Sequence, residues 1–165
     1  MKTTEAGGER GYDGGKKING RKRHVLVDTI GTLQVVVVTA ANVEDRDGGV
    51  LLFLVAPDLA DTLEKVWADQ KYRGEFIEWM REDYHIDVEV VKRPEDQEGF
   101  VVLPRRWVVE RTLGWLMRYR RLSKDDERHV ENSESMIYIA SIHIMLNKMC
   151  PPQRHRKPYE NKKAA

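Results

Sequence analysis

The chain has 165 residues, enough for one domain, with 41% hydrophobic residues to supply a core and a formal net charge of +1. A single cysteine, Cys150, excludes a disulfide framework or a thiolate zinc cluster. Residues 1–22 are too polar for a signal peptide, and no run reaches the roughly 18–20 apolar residues that span a bilayer. A cytoplasmic protein is expected.

Residues 1–23 interleave six glycines with charges and are expected to be a basic loop. They do not make a phosphate loop, because Arg10 and Lys17 stand where that motif needs Gly and Ser or Thr. The runs 24–29 and 33–39 are β-branched and flank Ile30-Gly31-Thr32, which predicts an antiparallel hairpin. The second run is apolar on both faces, the pattern of a strand covered on both sides. A helix is expected after Asp47, ending before Pro57. Lys65-Val-Trp-Ala68 reads as a short strand ending at Asp69, residues 73–84 as a helix, and residues 86–91 as an alternating strand. Residues 92–104 read as loop. Residues 104–121 form an amphipathic helix, and a last helix covers about 133–149. A hairpin followed by alternating helices and strands predicts a mixed three-layer α/β sheet. Residues 1–149 would form the domain and 150–165 a basic disordered tail.

The small net charge hides a partition. Residues 1–24 hold seven Lys or Arg against three acids, whereas residues 44–98 hold seven against sixteen. Residues 105–124 hold seven against Glu110 alone. Basic blocks beside an acidic middle suit a polyanion engaged by part of the surface.

The arginine-rich helix carries the most specific signal. Val108, Val109, Thr112, Leu113, Trp115, Leu116 and Tyr119 share one face, while Arg106, Glu110, Gly114, Met117 and Arg121 gather opposite. Gly114, four residues after Glu110, would leave that carboxylate uncrowded. A lone carboxylate among guanidinium groups suits a cation held beside a phosphate backbone. The bland alternative is a surface pair of Arg106 with Glu110, contributing roughly 0.3–0.5 kcal/mol. Asp69 follows a buried-type strand at its carboxyl end, where open α/β sheets place ligands. It could equally be a turn residue or helix cap. Brought together, Asp69 and Glu110 could hold divalent cations that activate a nucleophile on a phosphodiester, a site that normally wants a third carboxylate. The five histidines show no ligand spacing, and His143 reads as a core-edge residue.

Five stretches carry a family resemblance: Lys2 to Lys17, Gly20 to Thr29, Val38 to Asn42, Ala68 to Gly74, and Arg105 to Thr112. In colinear order they resemble DDE transposases of the bacterial insertion-sequence four and five type. The resemblance implies a ribonuclease-H-like core and two aspartates and a glutamate binding Mg²⁺ or Mn²⁺. It also implies cleavage of transposon ends, joining to double-stranded target DNA, and a homo-oligomer. Asp69 matches the second aspartate and Glu110 the glutamate, with Arg106 at the family's spacing. Leu103 stands where relatives often carry tyrosine. The first aspartate, on a strand upstream of the Lys-Thr segment, has no counterpart here, so the fold is expected to lack its first central strand and the chain to be the carboxy-terminal part of the enzyme. Asp28 is the candidate stand-in. Lys16, Lys17, Arg21, Lys22, Arg23, Arg106, Arg111, Arg118 and Arg121 are the candidate phosphate contacts. The alternative function is an inactive DNA-binding or inhibitory fragment.

Overall fold

The computed structural model describes residues 1–3, 8–91 and 105–151. Three strands lead: β1 (Gly11–Asp13), β2 (Ile18–Val27) and β3 (Leu33–Ala40). Helices α1 (Asp45–Val55) and α2 (Pro57–Ala60) follow, then strand β4 (Lys65–Ala68) and a 3-10 turn at Gln70–Tyr72. Helix α3 (Glu75–Tyr84) and strand β5 (Asp87–Val90) precede α4 (Arg106–Leu116), α5 (Arg120–Ser123) and α6 (Val130–Met149). The alternation is therefore that of a mixed α/β fold.

Two departures from the sequence expectation concern the strands. Residues 11–13 and 18–23, expected as loop, form β1 and the first half of β2, because β1 pairs Tyr12 with Asn19 and β3 reaches back to pair Arg21 with Ala40 and Lys22 with Thr39. The strands also form two sheets instead of one: antiparallel β1-β2-β3 and parallel β4-β5. Residues 92–104 and 152–165, the expected long loop and tail, lie outside the described residues, as does Leu103.

The helices match the periodicity with shifted ends. The arginine-rich helix stops at Leu116, turns through residues 117–119 and restarts as α5. Of its apolar face, Val108, Thr112 and Leu116 are buried. The last helix begins three residues earlier than expected, at Val130.

β3 is apolar on both faces because both are covered. Val35 and Val37 join Leu52, Phe53, Phe76 and Met80 in a core beneath α1 and α3. Val36 and Val38 join Leu116, Leu122, Ile137 and Ala140 beneath α4 and α6. Side chains of α6 also satisfy the outer edge of β3. Tyr138 Oη accepts from Val36 N (3.2 Å) and Glu134 Oε1 from Val38 N (2.8 Å). Unpaired strand N–H groups are thereby taken up on that edge.

Arg21 joins distant parts of the chain. Its guanidinium has no solvent exposure and donates to the carbonyls of Glu9 (2.7 Å), Glu127 (2.9 Å) and Arg128 (2.9 Å). It also pairs with buried Asp125 (3.4 Å), which accepts from Ser133 Oγ (2.9 Å) and Glu127 N (3.2 Å). Backbone bonds complete the knot: Asp125 N donates to Lys2 O (3.1 Å), and the main chain of Arg21 bonds Met1. Leaving either buried charge without its partner costs about 3–5 kcal/mol. Arg21→Met and Asp125→Asn are each expected to lose stability on that scale, read as a lowered denaturation midpoint with an unchanged slope.

Candidate functional site

β4 delivers Asp69. The strand ends at Ala68, Asp69 stays extended (φ −81°, ψ 174°), and its Oδ1 accepts from Lys71 N (2.7 Å) to cap the 3-10 turn. The capping role and the ligand role weighed from sequence are thus compatible, because one carboxylate oxygen makes the cap.

α4 delivers Glu110, and three contacts hold that helix. Thr112 Oγ1 donates to Gly31 O (2.9 Å) and Arg111 Nη2 to Ile30 O (2.8 Å), both in the hairpin turn. Gly31 is required there, since its φ is +80° and a Cβ would approach Thr112 Oγ1 to 2.7 Å. At the start of the helix Arg105, also at positive φ, places its guanidinium 4.0 Å from the ring centroid of Trp67 on β4. The strand that carries Asp69 and the helix that carries Glu110 are therefore tethered to each other.

Asp69, Glu110, Arg106, Lys16, Arg23 and Lys71 line one cavity of about 490 Å³. Arg106 Nε lies 3.5 Å from Glu110 Oε1, the ion pair anticipated from their spacing, and Glu110 remains more than half exposed. Around Gly114, one turn further on, a Cβ would meet nothing within 4 Å among the described residues. Asp45 lines this cavity too, and an adjoining cavity of about 450 Å³ adds Lys22 and Met1.

Asp45, unnoticed in the sequence, anchors the cationic wall. Its Oδ2 accepts from Lys71 Nζ (2.6 Å), and its Oδ1 lies 3.5 Å from Lys22 Nζ. Burial would raise its pKa, but the hydrogen bond from Lys71 and the charges of Lys22 and Lys71 together hold it below the usual carboxylate value. The same bond raises the Lys71 ammonium. The Tyr72 phenol is pushed up by burial, then by the charges of Asp45 and Asp69. The signal that could have found Asp45 is its place at the first position of a helix following a buried strand.

The basic residues expected to grip phosphate divide by environment. Arg21 is corrected outright: it is sealed in the interior and cannot reach a ligand. Arg111 is engaged with the hairpin turn and stacks between Trp107 (4.3 Å) and Trp115 (4.7 Å). Arg121 pairs with Glu127 (2.6 Å), and Lys22 donates to Val43 O (2.7 Å) as well as facing Asp45. Lys16, Lys17 and Arg118 are exposed. Arg23 is half-buried, burial lowers its pKa, and among the described residues its Nε and Nη2 have no hydrogen-bond partner.

Asp28 lines a separate cavity, and its Oδ1 accepts from Ile30 N (2.9 Å) and Thr32 N (2.8 Å) in the hairpin turn. His143 is engaged by Tyr119 Oη (2.7 Å). Among the described residues no group of three His, Cys, Asp or Glu could hold a metal ion. Asp69 and Glu110 offer the oxygen donors that hard divalent cations prefer, but as a pair they fall one carboxylate short.

His24 packs on the opposite face of β2. Its ring fills the space beside Gly48, where a Cβ would fall 2.1 Å from His24 Cε1, and its Nε2 lies 2.9 Å from Thr39 Oγ1. Burial lowers its pKa below 6.5, the nearby Asp45 charge opposing only in part. A depressed histidine binds its proton more readily when unfolded, so stability is lost as pH falls below about 6.5 toward the folded-state value. The melting midpoint is expected to drop across that interval, and His24→Gln to flatten that part of the profile.

A family model described as the transposase DDE domain matches residues 1–146. A Burkholderia cepacia protein named as a transposase for insertion sequence element IS402 is 32% identical over 119 residues, covering 68% of this chain and 56% of that protein. The chain thus spans about half the length of this curated relative. No solved structure matches the chain. Among the described residues, no helix is long and apolar enough to cross a membrane.

Proposed function

The chain belongs to the DDE transposase family, and from that premise we propose that it acts on double-stranded DNA in transposition, cleaving phosphodiesters at transposon ends and transferring the freed strand to a target. The observation that supports this reading is the single cavity that Asp69 and Glu110 share with Lys16, Arg23 and Arg106. Carboxylates and cations lining one cavity fit a phosphodiester whose attacking and leaving oxygens need opposite kinds of support.

In this scheme Asp69 and Glu110 would hold Mg²⁺ or Mn²⁺, whose chemistry there would be to acidify a nucleophile and support the leaving oxygen. The residues of the chain orient and position. The Lys71 N–H on Asp69 Oδ1 directs that carboxylate, leaving Oδ2 for the ligand. Arg106 holds Glu110 from one side. Lys16, Lys17 and Arg118 carry exposed cations for the backbone of the duplex, and a homo-oligomer would present two such surfaces to paired ends. The ribonuclease-H-like arrangement belongs to the same reading: β2-β3 and β4-β5 represent the antiparallel and parallel parts of that sheet.

A second reading is favoured by the carboxylate count. With Asp45 tied to Lys71 and Lys22, the cavity offers two other acids where three are wanted, and the chain could bind DNA without cutting it and so compete with an intact enzyme. The two readings separate on the chain itself. Mg²⁺-dependent nicking of duplex DNA that Asp69→Asn and Glu110→Gln abolish, with binding retained, supports the enzyme. Salt-sensitive binding without nicking supports the non-catalytic role. Equal loss of binding in both carboxylate variants would count against their placement at the metal.

Charge reversal at the rim gives an independent check. Lys16→Glu should weaken binding to any duplex and reduce the slope of log K against log salt by about 0.9 for each lost phosphate contact. Arg21→Met, after correction for stability, should leave that slope unchanged.

A further inference from the structure

Helix α6 is apolar on two opposite faces, and the described residues cover only one of them. Ile137, Ala140 and Ile144 pack with Leu116 and Leu122 against β3. On the other side Tyr138, Ile139, Ile142, Met145, Leu146 and Met149 form a stripe, from 37% exposed at Tyr138 to 76% at Met149. At the helical period that stripe stands opposite the buried face. A helix that is apolar all round is normally covered all round. The neighbouring β3 shows the same rule met, with a core on each side.

The chemistry of the stripe narrows what covers it. Lys148 is the one Lys or Arg in α6, and it turns away, its ammonium 4.8 Å from the Trp115 ring centroid. A face without cations suits neither a phosphate backbone nor an anionic bilayer surface. Ile139, Ile142, Leu146 and Met149 are spaced three, four and three residues apart, the spacing of a seam between two helices. Towards the start of α6 the same face turns polar at Glu131 and Ser135, so the seam has a defined end. The exposed fractions leave roughly 600 Å² of apolar surface on the stripe, against the about 600–1,000 Å² that each partner buries in a specific interface.

We propose that α6 is the interface of a homodimer, its stripe packed antiparallel against the same stripe of a second copy. Two-fold symmetry about a point near Ile144 sets Ile139 of one copy opposite Met149 of the other, and Ile142 opposite Leu146. Each apolar position then meets an apolar one, whereas a shift by one heptad would set Leu146 against Ser135. Charge sets the direction. α6 is acidic in its first turn at Glu131 and basic in its last at Lys148, and opposed helices bring unlike ends and opposed dipoles together. Aligned helices would bring Glu131 beside Glu131 and Lys148 beside Lys148. The homo-oligomer of the DNA reading thereby gains a surface, but the pairing stands on α6 alone and holds whether or not the chain cuts DNA.

The test uses the whole chain without DNA or Mg²⁺. Sedimentation should give a dimer at micromolar concentration, with a melting midpoint that rises with protein concentration. Ile142→Glu combined with Leu146→Glu puts carboxylates into the seam of both copies. It should raise the dissociation constant more than about a hundredfold and leave the helical circular dichroism unchanged. Both side chains are exposed in the single chain, so the substitution spares the core. Disulfide trapping reads the direction. Met145 lies next to the two-fold axis, and Met145→Cys combined with Cys150→Ser should cross-link the two copies under mild oxidation. Cys150, exposed and the only cysteine, should not cross-link to itself in the unaltered chain, because antiparallel pairing holds the two about 18 Å apart along the helix axis. A monomer throughout the micromolar range would overturn the proposal, as would a dimer that the double substitution leaves intact or a cross-link between the two Cys150 residues.

Discussion

Arg21 is a guanidinium removed entirely from water, and the placement of the functional elements depends on it. Such a group is tolerable only if its donors are matched, and here three carbonyls and Asp125 match them. Those partners come from both ends of the described chain. By gathering them, Arg21 fixes the turn before α6 and lays Met1–Thr3 along one edge of β2. α6 in turn covers a face of β3 and supplies the side chains that close its edge. One buried cation thus ties β2 to the segment near Glu9 and to the turn that leads into α6.

The site grows from the same geometry. β4 and α4 are far apart in sequence, yet the stacking of Arg105 on Trp67 and the clasp of Thr112 and Arg111 on the hairpin turn hold α4 over both sheets. Glu110 is thereby carried to the cavity that Asp69 enters from the end of β4. Asp45, with Lys71 and Lys22, makes the rim a fixed pattern of charge instead of a loose basic patch. The acids sit at the cavity and the free cations around it, an arrangement suited to a phosphate chain and unsuited to a neutral ligand.

Much of this was legible in the sequence, for reasons particular to each element. The hairpin declared itself through two β-branched runs about a glycine turn, and β3 through being apolar on both faces. Asp69 and Glu110 stood out because each is an acid at a strand end or in a basic helix, and both fall within residues 1–146, which the family model matches. The reading of residues 18–23 failed because charged side chains and a glycine mask a strand whose neighbours supply its hydrogen bonds. The break in the arginine-rich helix at 117–119 was invisible because its residues continue the helical period.

Local sequence, then, determined the elements and the chemical types at the site, since periodicity and turn chemistry act over a few residues. Tertiary structure alone decided which cations remain available. Arg21, Arg23 and Arg111 read alike as letters in a basic run, but burial seals the first, the second has two nitrogens without a hydrogen-bond partner among the described residues, and the third stacks between tryptophans. The division into two sheets was likewise settled by long-range pairing, because a strand's own residues do not specify which of its edges will find a partner.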